Sequence, residues 1–231
     1  MDAAKRSGHT TYRHRPTEKL VHTKLPDIGS DWEPLNEVCV QELSTLVSAS
    51  HAPATIAVFD NPEGKILGTA SYALFETPFN VQNGKQTFSL SSIDRNALCK
   101  INVLSGWVNN LDGDLRHLAI GSSNRSGAYM FYAFDSSHTG YGPDGRSNVL
   151  SITVAFWLKG YVHFSLNEYM DVVKIIEGIP DDIIKSKCLL WGSRIDDVMN
   201  TQKYSALAEN LADLYVKRKY KLRPAVLEML A

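Results

Sequence analysis

Strand-like and helix-like patterns are unevenly distributed along this chain, and that distribution constrains its fold more than any other feature. Up to about residue 80, short strand-like apolar runs and turn residues flank a single helix-like stretch; from residue 94 onward, apolar positions recur mostly at three- and four-residue spacing. A chain patterned in this way folds as α+β. Its 231 residues suffice for one generous domain or two small ones, and a hydrophobic share of 44 % allows a well-buried core. The charges nearly cancel, 24 Lys+Arg against 25 Asp+Glu. Together these figures exclude a disordered tail and a globally basic nucleic-acid coat.

The opening 18 residues are polar and basic, with Lys5, Arg6, Arg13 and Arg15, and are expected as a partly flexible arm. A strand is expected over residues 20–25, with Val21, Thr23 and Leu25 on one face and His22 and Lys24 on the other. Pro34 opens a helix over 34–48, striped by Leu35, Val38, Val40, Leu43, Leu46 and Val47. Strands over 55–59 and 66–74 flank the turn Asn61-Pro62-Glu63-Gly64. The Asn-, Gln- and Gly-rich stretch 80–85 marks a boundary between a small α+β lobe, 19–80, and a larger, mainly helical lobe, 81–231. In the second lobe, helices are expected over 94–109, 149–158, 166–176, 180–190 and 204–220, with a strand over 128–134 and a loop over 138–147.

Cys39, Cys99 and Cys188 are widely spaced and lack a C-x-x-C pair, which supports neither a disulfide framework nor a cysteine-rich zinc site. No apolar run approaches the ~18 residues of a membrane span, and the N-terminus has no apolar signal core. A cytoplasmic protein without membrane contact is expected.

Chemistry concentrates between Trp107 and Asp135. Asn109, Asn110, Asp112, Asp114, Arg116 and His117 crowd together, and Asp135 stands at the end of an apolar strand. Polar groups this dense are costly unless they meet water, a ligand or a metal. Phosphoryl transfer gives the layout a rationale. One loop carboxylate accepts the substrate hydroxyl proton, a nearby residue and a later Asp hold a divalent ion, and a strand Lys paired with a helix Glu holds the nucleotide phosphates. Lys24 and Glu37 occupy such places.

Several segments resemble HipA-like kinases in order and approximate spacing. They are Thr23-Lys24-Leu25-Pro26, the helix start Asn36–Leu43, the Ala52-Pro53 pair, the string NNLDGDLRH at 109–117, and YAFDSS at 132–137. The resemblance spans residues 7–225 and implies a two-lobed protein-kinase-like fold that binds ATP with Mg²⁺ or Mn²⁺. It implies Lys24 as the phosphate-binding lysine, Glu37 as its ion-pair partner, Gly8 in the nucleotide loop, Asp112 as the catalytic carboxylate and Asp135 as a metal ligand. Transfer of the γ-phosphoryl group to a Ser/Thr hydroxyl of a protein substrate is implied with them. So is a toxin role with an antitoxin-like protein partner, as members of the family often have.

Two departures are visible. The family loop reads Asp-x-His-x-x-Asn, whereas here the Asn position carries His117, an imidazole better suited to Mn²⁺ or Zn²⁺ than to Mg²⁺. The nucleotide loop is short, with only Ser7-Gly8-His9-Thr10 before the first expected strand. A catalytically impaired pseudokinase acting as an interaction module, or a kinase for a small molecule or lipid headgroup, are the alternatives. Simpler roles also stand beside each residue: Lys24 as a solvated edge lysine, Glu37 as a solvated helix residue, and Asp112 and Asp114 as turn formers around Gly113. His138 beside Asp135 admits a transition-metal hydrolase, but no H-x-H or H-E-x-x-H spacing supports it. The basic residues Lys217, Arg218, Lys219, Lys221 and Arg223 read as helix-end charges complementing the dipole. With balanced net charge, they do not make nucleic acid the expected substrate.

Overall fold

The computed structural model of the chain describes residues 9–14, 19–26, 30, 32–51, 53–62, 64–72, 79–80, 92–110, 118–122, 129–133 and 162–231. Its first sheet contains β1 (His9–His14), β2 (Lys19–Lys24), β3 (Ala54–Asn61) and β4 (Gly64–Tyr72), all antiparallel, in the order β1-β2-β4-β3. The segment expected to be a flexible arm therefore supplies β1. Its Thr10-Thr11-Tyr12 run favours extended backbone, and pairing with β2 outweighs its polar character. The β3–β4 hairpin closes where the turn residues predict, with Gly64 at φ +127° opposite Asn61.

Helix α1 (Glu33–Leu46) packs on β3 and β4. Pro34 sits in its first turn, where a missing N–H costs nothing. The helix ends at Ser48, in the left-handed region at φ +52°. There the Ser48 and Ala49 amides donate back to the Thr45 and Ser44 carbonyls at 3.3 and 2.9 Å.

Helix α2 (Ser92–Val108) lies against β7 of a second, three-stranded sheet. That sheet is antiparallel, in the order β5 (Phe79–Asn80), β6 (Leu118–Ser122), β7 (Tyr129–Ala133). Strand β6 follows directly on the crowded polar residues 109–117, where no strand is expected. Its Leu-Ala-Ile core is too short for periodicity to reveal, and the long-range ladder to β7 creates it.

Four helices complete the chain: α3 (Leu166–Glu177), α4 (Asp181–Met199), α5 (Lys203–Lys219) and α6 (Leu222–Leu230). Ser165 and Glu168 form a capping box at the start of α3. One expected boundary is corrected here. Helix α4 runs to Met199 rather than residue 190, because Gly192 does not end it. A β-carbon on Gly192 would lie 2.6 Å from Ala208 Cβ and 2.8 Å from the Tyr204 carbonyl oxygen, so glycine allows α5 to approach closely. Beyond α5 the chain forms a separate helix, α6, with Pro224 tolerated in its first turn. The helix expected over 149–158 and the loops expected over 80–85 and 138–147 lie outside the described residues, apart from Asn80 at the end of β5.

One hydrophobic cluster joins the two regions. It runs from Leu35, Cys39 and Leu43 of α1 through Leu104 and Trp107 of α2 to Ile184, Leu211 and Tyr215 of α4 and α5. Glu42 of α1 braces it, accepting from Lys187 Nζ at 2.8 Å and Trp191 Nε1 at 3.3 Å, and Lys65 of β4 donates to the Val198 carbonyl at 3.1 Å. Among the described residues, no helix is long and apolar enough to cross a membrane.

Candidate functional site

Lys24 ends β2, an interior strand between β1 and β4. Its register partner on β4 is Thr69, which pairs in turn with Ile56 on β3. Directly paired residues share a face, so Lys24 lies on the face carrying Thr69, Ile56, Leu67 and Val58, which is the core-facing side. Lys24 is half-buried, and the reading of it as a solvated edge lysine is therefore corrected. On its other side, Lys24 pairs with His9, the residue immediately after Gly8.

Glu37 belongs to α1, which packs on that same sheet through β3 and β4. It is 7 % exposed, which corrects the reading of a solvated helix carboxylate. Glu33, Asn36 and Glu37 form a buried polar face within the first two turns of α1. Burying a carboxylate is costly unless charge or hydrogen bonds compensate it. The sheet and α1 thus bring Lys24 and a buried acidic helix face to the same part of the molecule.

The dense polar stretch begins at the end of α2, and two of its residues have a structural task. Asn109 adopts φ +56°; its amide donates to Gly106 O at 3.4 Å, and the Asn110 amide donates to Ser105 O at 3.0 Å. This is the left-handed termination that usually calls for glycine. Both side chains are buried. Sheet register links the two ends of the candidate loop, because Leu118, just after His117, pairs with Ala133, two residues before Asp135. The chain therefore enters β6 and leaves β7 at the same end of the second sheet. That end meets the connection between α1 and β3: the Ala133 amide donates to Ser50 O at 3.0 Å, and His51 bridges Ala133.

Gly8, Asp112, Asp114, His117, Asp135 and His138 lie outside the described residues. Among the described residues, no group of three or more His, Cys, Asp or Glu is placed to hold a metal ion. Sequence reading overlooks His51, which is 7 % exposed where the connection between α1 and β3 meets β7. It also misses the burial of Arg218 and Lys219 within the basic run. Lys219 donates to the Ile179 carbonyl at 2.8 Å and pairs with Asp181, while Arg223 pairs with Glu177 at 2.5 Å. Of that run, only Lys217 and Lys221 are exposed.

A cleft of about 350 Å³ between α2 and α3 is lined by Arg95, Lys100, Cys99, Glu168 and Asp171, among others. Its main charges satisfy each other. The Arg95 guanidinium makes a bidentate pair with Glu168 at 2.9 and 3.0 Å and donates to His163 O at 2.6 Å. The hydrogen bonds from Arg95, with those from Ser165, hold the Glu168 carboxyl down at about 2. Burial pushes the Cys99 thiol up to about 12, so it stays protonated and is no nucleophile at neutral pH.

No protein-family model matches the chain, and no curated protein matches it by sequence. Its structure does find a counterpart. The crystal structure of a Helicobacter pylori proinflammatory kinase, CtkA, matches with a TM-score of 0.63 at 11 % identity, over 96 % of this chain and 95 % of that one. At that identity the likeness is one of architecture: the chain has a mixed α/β fold, with a mostly helical C-terminal body, shared with a kinase.

Proposed function

We propose that this chain is an ATP-dependent protein kinase of the HipA-like kind, with a small α+β lobe and a larger helical lobe flanking the nucleotide. The observation that carries the reading is the match of nearly the whole chain, at both ends of the comparison, to the fold of a kinase. The placement of Lys24 and Glu37 supports it, since a lysine on the core-facing side of the sheet and a buried carboxylate on the helix packed against that sheet are the residue types that protein kinases pair at the nucleotide phosphates. The Lys24 ammonium neutralises the nucleotide phosphates, and Glu37 orients it. The register of His9 with Lys24 pairs the residue that follows Gly8 with the strand position that carries this lysine, in keeping with the reading. Asp112 accepts the proton of the substrate Ser/Thr hydroxyl as its oxygen bonds to the γ-phosphorus and the bond to ADP breaks. Asp135 and His117 are the residues assigned to hold Mg²⁺ or Mn²⁺, which supplies charge neutralisation at the phosphates when bound. The toxin role and the antitoxin-like partner rest on the resemblance to HipA-like kinases.

Incubation with γ-labelled ATP and Mg²⁺ or Mn²⁺ tests the reading. Label is expected on a protein substrate or on the chain itself, falling at least about a hundredfold in Asp112→Ala. Absence of nucleotide binding and of labelling, or labelling that survives Asp112→Ala unchanged, defeats it. His117, in place of the family's Asn, favours one second reading, an impaired kinase that serves as an interaction module. A thermal-shift scan separates the two. Saturation at about a hundred times Kd adds ~2.7 kcal/mol, or about 5–10 °C for a chain of this size, and no shift with any metal favours the interaction module.

A further inference from the structure

One turn of α5 grips the end of α2. Arg218 is fully buried; its Nε donates to the Trp107 carbonyl and its Nη2 to the Gly106 carbonyl, both at 2.5 Å. In return, Trp107 Nε1 donates to the Tyr215 carbonyl at 2.8 Å, and the two rings meet edge to face at 6.5 Å. The last carbonyls of a helix lack intrahelical donors and carry its negative dipole end, so a guanidinium there meets both needs. Burial lowers the Arg218 pKa to about 10, which leaves it charged at neutral pH.

Such a buried cation is a costly way to hold two helices together. Packed apolar residues at buried ionic positions are often equally stabilising or more so. The gripped turn is distinguished by its neighbours in the chain. Asn109 and Asn110 close α2 directly beyond it, and Asp112 lies two residues after Asn110. Two residues span at most ~7 Å of chain, so the setting of the Asn110 backbone bounds where the Asp112 carboxylate can be. A misplacement of about 1 Å in a phosphoryl-transfer site costs on the order of a hundredfold in rate.

We propose that Arg218 is a positioning residue for phosphoryl transfer, fixing the end of α2 and with it the stem that presents Asp112. This rests on the kinase reading above. It assigns the end of α5 a part in turnover that its distance in sequence from every candidate site residue conceals.

The test compares Arg218→Lys and Arg218→Met with Arg223→Gln, a control that breaks the nearby Glu177 pair without touching α2. Measured are kcat, KM for ATP, and hydrogen exchange at the Asn109 and Asn110 amides. Lysine keeps the charge but not the two-pronged geometry. Arg218→Lys is expected to lower kcat about tenfold and Arg218→Met about a hundredfold, with KM for ATP within about twofold because Lys24 and Glu37 lie on other elements. Exchange at Asn110 rises at least tenfold in both, whereas Arg223→Gln lowers Tm and leaves kcat and Asn110 exchange unchanged. Wild-type kcat in a folded Arg218→Lys protein, or unchanged Asn110 protection, overturns the proposal, and the lysine variant decides should the methionine variant fail to fold. Absence of turnover in the wild type ends the kinase reading and the catalytic half of this proposal together. The exchange measurement then still decides whether Arg218 fixes the stem.

Discussion

Replacement of Gly192 by alanine tests the packing that seats α5. A β-carbon there would meet Ala208 Cβ at 2.6 Å, the Tyr204 carbonyl oxygen at 2.8 Å and Ser205 Cα at 3.0 Å. Ordinary carbon contacts lie at about 3.5–4.0 Å, so the α4 and α5 axes must part by roughly 1 Å. Two of the three opposing atoms are backbone and cannot rotate away. Overpacking of this kind costs about 3 kcal/mol, and the better helix propensity of alanine returns about 1, for a net loss of about 2 kcal/mol. For a chain of this length that is a fall in Tm of about 4–8 °C, read by far-UV circular dichroism. The displacement also strains Asp196, whose carboxylate caps α5 by accepting the Tyr204 and Ser205 amides at 2.8 Å each. Removing the opposing methyl in a Gly192→Ala/Ala208→Gly double variant is expected to recover part of the loss, the Tyr204 carbonyl contact remaining. A Gly192→Ala protein as stable as wild type, or more so, refutes the close approach of α4 and α5.

Single contacts elsewhere give three further expected outcomes. Glu168 has its carboxyl held at about 2, below the unfolded value of about 4.3, so its pairing with Arg95 stabilises fully above about pH 4.5 and is lost as the pH falls toward 2. With both side chains about one-third exposed, the contribution is about 1–2 kcal/mol, and Glu168→Gln should remove that acid-sensitive part in urea titrations at about pH 3 and pH 7. Ser48, exposed and left-handed at φ +52°, gains about 0.5–1 kcal/mol on replacement by glycine, visible as a higher melting temperature. Gly68→Ala sets a β-carbon 2.5 Å from the Lys24 carbonyl oxygen, so it should both destabilise the sheet by about 1–3 kcal/mol and raise KM for ATP several-fold, separable by melting and kinetics.

Much of the fold is legible wherever local chemistry and tertiary packing agree. The α1 stripe, the Asn61–Gly64 turn and the start of α3 all carry local signals that the structure uses. Strands β1 and β6 are hidden because their stability comes from partners distant in sequence, β2 and β7, rather than from their own pattern. Helix α4 passes beyond residue 190 because Gly192, a helix-weakening residue in isolation, is required where α5 approaches. The candidate site divides along the same line. The strand that carries Lys24 is visible in its alternation, but the interior position of that strand and the burial of Glu37 depend on sheet order and on α1 lying against that sheet. The charge run around residues 217–223 reads as helix-end charges complementing the dipole of their own helix, and only tertiary structure shows Arg218 turned onto the end of α2. Asn109 and Asn110, read as part of a functional cluster, also have the ordinary task of ending a helix.

Nucleotide binding is the claim on which everything functional depends, and isothermal calorimetry with ATP and Mg²⁺ or Mn²⁺ addresses it directly. One site per chain is expected, with affinity reduced at least tenfold in Lys24→Met while the melting temperature without nucleotide stays within a few degrees. Heat of binding absent with either metal, or binding indifferent to Lys24→Met, contradicts the account.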